Sequence, residues 1–175
     1  LTEDSCAQPE SLHGVMHYTR EVMLQTAAGK TPTAMLRPTL IYGSKDPHNG
    51  YGPNRFHRQA ADGKEIVLFG EGEERRDHVF IDDVAAIVRL AVLHHSVGAL
   101  NVATGVVTSF CEIAKQVNAL FSTPVEIKGS PRVGPMPHDG YRPFDIAACN
   151  KAFPQFNFTS LAEGLATVHT ESGKV

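Results

Sequence analysis

The chain has 175 residues, 42% of them hydrophobic and 20% charged, and a formal net charge of -3. That is enough apolar sequence for one cored domain of ordinary soluble composition. The 16 basic and 19 acidic residues are interspersed, which gives no electrostatic footprint for nucleic acid or an anionic membrane, so any phosphate recognised here is held locally.

In chain order, Leu12, Val15, Met16, Thr19, Val22, Met23 and Ala27 recur at helical spacing, and the pattern predicts a helix over 11–28 stopped by Gly29. Thr33 to Arg37 reads as a buried strand ended by Pro38, and the Gly, Pro and Asn of 42–53 predict a long loop. Asn54 is placed to cap a short helix ending at Gly63. A strand over 65–69, a charged turn and a strand over 78–81 follow, and Asp82 or Asp83 is expected to cap a helix reaching His95. Ala99 to Ala103 reads as a strand. Ser109-Phe110-Cys111-Glu112 and Ser160-Leu161-Ala162-Glu163 are capping-box patterns that open two further helices. Between them, 125–128 reads as a short strand and 129–143 as a loop or lid. Strands alternating with helices imply an α/β arrangement with only about half the strands of a doubly wound sheet, so an exposed sheet edge is expected to need a partner.

Cys6, Cys111 and Cys149 are odd in number, widely spaced and without a C-x-x-C. They support neither a disulfide framework nor a zinc knuckle, and they favour a reducing, cytoplasmic setting. The longest apolar run, Val84 to Leu93, is interrupted by Arg89 and falls short of the roughly 20 residues that span a bilayer. The chain opens on polar Thr2-Glu3-Asp4-Ser5 rather than a signal peptide, and on Leu1 rather than methionine, which suggests a C-terminal portion of a longer protein.

The most informative stretch runs from Gly70 to Ala86: Gly-Glu-Gly-Glu-Glu-Arg-Arg-Asp-His-Val-Phe-Ile-Asp-Asp-Val-Ala-Ala. It resembles the "G-x-G-x-x-x-R-D" strand and following helix of extended short-chain dehydrogenases, the NAD-dependent epimerase/dehydratase family that modifies nucleotide sugars. Arg37-Pro38-Thr39-Leu40-Ile41-Tyr42-Gly43 is similar to that family's "R-P-x-x-x-Y-G", and Arg142 to Lys151 to its late "R-x-x-x-D-x-x-K". The resemblance implies the C-terminal part of a Rossmann-type fold, over 1–43 and 77–104, with a mixed α/β substrate-binding region over 44–76 and 105–175. It implies an NAD or NADP cofactor met by His17, Pro38 and Tyr42, and a nucleotide-sugar substrate met by Asn54, Arg55, Phe56, Arg76 and Arg142. The family also implies a homodimer packed through the first helix. No G-x-G-x-x-G follows a strand, so the dinucleotide pyrophosphate site is not encoded in this chain.

One departure bears on mechanism. Pro9 to Glu21 resembles the family's "P-x-S-x-Y-G-x-S-K-x-x-x-E", with His13 at the tyrosine position and His17 at the lysine position. A tyrosine needs a nearby cation to act as a base at neutral pH, whereas an imidazole titrates near pH 6.5 unaided. His13 and His17 are therefore the catalytic candidates. A metal held by this H-x-x-x-H would lack a third ligand, and no metal is expected. The alternative to an enzyme is a catalytically degenerate nucleotide-sugar-binding or assembly protein. For Arg76 the alternative to a phosphate contact is an ion pair with Asp77 or Glu74.

Overall fold

Helices and strands alternate as the patterning predicts. The computed structural model describes residues 1–9 and 11–173. The elements are α1 (Leu12–Ala28), β1 (Ala34–Pro38), β2 (Leu40–Tyr42), α2 (Pro53–Ala61), β3 (Ile66–Phe69), β4 (Arg75–Phe80), α3 (Ile81–Leu93), β5 (Gly98–Val102), β6 (Val107–Ser109), α4 (Phe110–Asn118), β7 (Ile127–Ser130), β8 (Tyr141–Arg142), α5 (Ala147–Ala152) and α6 (Leu161–Glu171). Three helix starts follow the capping logic. The Ser11 hydroxyl accepts the Gly14 N–H, and the Ser109/Glu112 and Ser160/Glu163 pairs form reciprocal boxes.

β4 organises the middle of the chain. It pairs in parallel with β2 and β8 and antiparallel with β6, while β1 pairs with β5 and β3 with β7, both in parallel. Alternation along β4 sends Phe80 and Val79 to different cores. Phe80 joins Tyr42, Phe56, Ile66, Phe110 and Ile113 under α2, α4 and α6. Val79 joins Ile87, Ala91, Val102 and Cys149 under α3 and α5. Two glycines permit this packing. Gly72, at φ +72, carries no Cβ that would press on the backbone of Cys111, and Gly164 leaves room for the phenol of Tyr42 against α6.

Several expectations change. β4 begins at Arg75 rather than His78, because β6 and β8 supply ladder partners to Arg75 and Arg76 that local sequence does not reveal. Phe80, not an aspartate, occupies the N-cap of α3. Asp83 in its first turn instead accepts the Thr159 N–H at 2.8 Å and the Thr159 hydroxyl at 2.9 Å, fastening the segment that leads into α6. Asn54 lies inside α2, whose N-cap is Gly52. β2, β6, β8 and α5 span only two to six residues, too few for periodicity to register. Ahead of α5, whose N-cap is Ile146, Asp145 Oδ1 accepts the Ala147 N–H. β1 is only half-buried, and α1 buries none of its residues: Leu12, Met16 and Met23 are 83%, 64% and 65% exposed. Its apolar stripe packs on nothing among the described residues.

Asp77 is fully buried on the face of β4 opposite Arg76. Its carboxylate accepts the Thr104 N–H and hydroxyl and the Gly105 N–H at 2.7–3.1 Å, and the Thr39 hydroxyl donates to its carbonyl. Asp77→Ala removes the charged acceptor of two backbone N–H groups and the Thr104 hydroxyl and is expected to lower unfolding free energy by about 3 kcal/mol. Asp82→Ala, at an exposed site, should change it by less than about 0.5 kcal/mol. Urea denaturation of both variants checks the difference.

Candidate active site

Arginines gather where β4 meets β8. Arg76 and Arg142 are Cα partners in the parallel ladder, so the two side chains leave neighbouring strands at the same level. Arg76 is 7% exposed. It donates to the Arg75 carbonyl at 2.8 Å and the Pro137 carbonyl at 2.6 Å, and it pairs with Glu74 at 2.5 Å. The second oxygen of Glu74 lies 3.2 Å from Arg132 Nη2, so one carboxylate bridges two guanidinium groups. Burial pushes the Arg76 pKa down, Glu74 raises it, and the like charges of Arg142 and Arg132 lower it further. That opposition places three positive groups within electrostatic reach of one another. Arg142 Nη1 meets His138 Nε2 at 2.6 Å and its guanidinium lies over the Phe144 ring, 5.8 Å from the centroid, while its Nε is buried without a hydrogen-bond partner. An ion pair and a phosphate contact are thus compatible readings of Arg76. Its acidic partner is Glu74, since Asp77 faces the other way.

His78, two residues along the same face, was not singled out by its motif. It is 5% exposed, packs edge-on against Phe110, and neither ring nitrogen has a hydrogen-bond partner. Burial pushes its pKa down to about 4; the nearby Arg76 carbonyl opposes this without reaching hydrogen-bond geometry, and the Arg76 charge adds to it. The imidazole is therefore neutral, with one donor and one acceptor to offer. It lines a cavity of about 230 Å³ with Thr104, Thr108, Phe158 and Ser160. A larger cavity of about 580 Å³ lies by Phe121 and Pro124, away from the arginines and from His78. The arginines line neither.

The other candidates separate into two groups. Tyr42 and Phe56 are core residues, 1% and 0% exposed. The Tyr42 hydroxyl is buried without a partner, and burial pushes its pKa up. Asn54 is structural: it accepts the Gly43 N–H at 3.1 Å and donates to Asp46 at 2.8 Å, closing the loop between β2 and α2. Arg55 is half-exposed and has no ion-pair partner among the described residues. Pro38 is exposed at the end of β1. His13 and His17 are exposed on α1 with ring centroids 4.4 Å apart, and His17 Nδ1 sits 3.4 Å from Arg20. Nothing else in the described structure closes over them. Arg132 was missed because it stands in no recognisable spacing; Glu74 was named as an ion-pair partner of Arg76, which it is, but its second contact, to Arg132, had no local signal. Among the described residues no group of three or more His, Cys, Asp or Glu is placed to hold a metal, and no helix is long and apolar enough to cross a membrane.

The NAD dependent epimerase/dehydratase family profile matches residues 1–103, and the chain belongs to that family. It is 30% identical over 139 residues to dTDP-L-rhamnose 4-epimerase of Burkholderia thailandensis, covering 75% of this chain and 38% of that protein. It is 34% identical over 103 residues to UDP-glucose 4-epimerase of Mycolicibacterium smegmatis, covering 57% and 33%. UDP-glucose 4-epimerase from Thermotoga maritima, solved with UDP-glucose, superposes with a TM-score of 0.81 at 26% identity, over 99% of this chain and 56% of that one. The chain thus spans a third to two fifths of the curated relatives it matches.

His78 supplies a pH test. Its folded pKa lies below the ordinary 6.5, so the stability it contributes is present above pH 6.5 and is lost as the pH falls toward 4, where the unfolded chain takes up the proton first. The wild type should lose about 3 kcal/mol more than His78→Phe across that window, read from urea midpoints at pH 7 and pH 4.

Proposed function

We propose that this chain is the substrate-binding portion of an NAD(P)-dependent nucleotide-sugar epimerase or dehydratase, in which Arg76, Arg142 and Arg132 hold the diphosphate. The observation that carries this reading is the cross-strand placement of Arg76 beside Arg142 with Arg132 joined to the same carboxylate. Guanidinium forks suit phosphate oxygens and stay charged when partly buried. The region over 44–76 and 105–175 supplies these groups, while 1–43 and 77–104 form the part of the Rossmann-type core that faces the cofactor. Arg55, half-exposed on α2, remains the substrate contact of its triplet; Asn54 and Phe56 act by shaping the loop and the core beneath it.

The residues present fit one end of a nicotinamide dinucleotide. Exposed His17 and Pro38 are free to meet it, Tyr42 is turned into the core, and the glycine-rich pyrophosphate turn is not part of this chain. When bound, that cofactor supplies hydride transfer to and from a sugar carbon. His13 then takes the hydroxyl proton as general base, and His17 one turn along orients a ribose hydroxyl. The exposed apolar stripe of α1 is the surface through which the enzyme forms a cytoplasmic homodimer. The second reading is a degenerate nucleotide-sugar-binding protein, favoured by one observation: both histidines stand open to solvent, in contact with each other and, at His17, with the exposed Arg20.

Two measurements test this: binding tests the diphosphate site that both readings share, and turnover decides between them. In calorimetric titration of the protein with UDP-glucose and with dTDP-glucose, Arg142→Ala should weaken binding of the ligand that binds by at least about tenfold, the value of one charge-assisted contact. No binding to the wild type overturns the proposal. In an NAD-supplemented turnover assay of the complete gene product, His13→Ala should lower kcat by about 100-fold or more while Tyr18→Phe leaves it unchanged. Full activity in the His13 variant removes it from the mechanism.

A further inference from the structure

We infer that Glu74 sets the charge of the arginine site and thereby selects a sugar-linked diphosphate over the free nucleoside diphosphate. This rests on the reading of the arginines as a diphosphate site. The side chain of Glu74 is 11% exposed, that of Arg76 8% and that of Arg132 18%. Its carboxylate bridges the two, at 2.5 Å from Arg76 and 3.2 Å from Arg132. A charge held this far from water is poorly screened, so it acts on any anion bound at the same guanidinium groups. Glu73 also approaches Arg132, at 3.8 Å, but its side chain is 48% exposed and solvent screens it. His138 at Arg142 and Arg75 on β4 are exposed as well. The balance is therefore three guanidinium groups, those of Arg76 and Arg132 largely buried and that of Arg142 half-buried, against one buried carboxylate, a net double positive charge.

A nucleoside diphosphate esterified to a sugar carries one negative charge on each phosphate, and it neutralises that balance. The free nucleoside diphosphate has a terminal phosphate whose second ionisation falls at about pH 6, so at pH 8 it brings a third negative charge. Glu74 repels this surplus charge across a low-dielectric site. A neutral residue at position 74 would leave a triple positive charge, which matches the free diphosphate instead. The geometry supports the same assignment. The Glu74 carbonyl is pinned by the Phe110 N–H at 3.1 Å, so the backbone that carries the carboxylate is fixed beside the arginines. Arg132 Nε and Nη2 are buried and off hydrogen-bond geometry with their acidic neighbours, which leaves donors for phosphate oxygens. Glu74 is a specificity residue acting through Arg76 and Arg132.

The test is the ratio of dissociation constants, sugar nucleotide to free diphosphate, measured by calorimetry at pH 8 with UDP-glucose against UDP and dTDP-glucose against dTDP. Glu74→Gln should shift the ratio at least about tenfold toward the free diphosphate. Glu74→Asp, which keeps the charge, should restore it to within about threefold of the wild type. Arg132→Gln, which lowers the positive charge by one, should shift the ratio the opposite way; this arm decides the matter if Glu74→Gln does not fold. A merely structural Glu74 would weaken both ligands together, and an unchanged ratio in the variants overturns the inference while leaving the diphosphate site standing. Failure of all four ligands to bind the wild type overturns both.

Discussion

The burial of the Asp77 carboxylate is the constraint on which the rest of this structure turns. A charge fully removed from water is tolerated only when its lone pairs are filled, and here the backbone of the Thr104–Gly105 turn and the Thr104 hydroxyl fill them. That requirement brings the end of β5 against the middle of β4 and starts β6 at the register that pairs it with Arg75 and Arg76. The next residue back, Arg76, is forced by strand alternation onto the opposite face, where β8 delivers Arg142 beside it. The functional cluster is thus positioned by a charge it does not touch.

The same alternation sorts the electrostatics. One face of β4 carries a carboxylate satisfied by neutral donors, and the other carries an arginine whose repulsion with Arg132 is relieved chiefly by Glu74. His78 shares that second face, and its burial beside Arg76 keeps it neutral. A protonated imidazole there would add a fourth positive charge to a site that already holds three. The burial of His78 therefore protects the charge balance of the arginines as well as the packing of Phe110.

Membership of the epimerase/dehydratase family and the state of α1 pull in different directions. The family profile matches residues 1–103, and the superposition on a UDP-glucose 4-epimerase covers 99% of the chain. At α1, His13 and His17 stand where the family resemblance implies a tyrosine and a lysine. The exchange is chemically coherent, because an imidazole needs no neighbouring cation to accept a proton near neutrality, but its shorter reach demands a closer substrate. The arginines proposed to hold the diphosphate are mutually constrained side chains, whereas the acid-base candidates lie on an exposed helix.

Much of the architecture was legible because it is locally encoded. The two capping boxes, the Ser11 start and the Gly29 stop of α1, and the strands over 65–69 and 99–103 each depend on side chains within a few residues of one another. Arg76 and Arg142 were legible through spacing. Tyr42 and Phe56 were misplaced as ligand contacts because spacing does not distinguish a side chain turned to a cleft from one turned to a core. What the chain order alone determined is which segments are helices and strands and which residues carry charge. Only the tertiary structure decided that Arg75 and Arg76 lie in a strand, that Asp83 holds Thr159 rather than capping α3, and that Glu74 is shared by two arginines. Each of those depends on partners 32 to 76 residues away, beyond the reach of any local pattern, and on burial, which turns a charge from a solvated ornament into an interaction that must be answered.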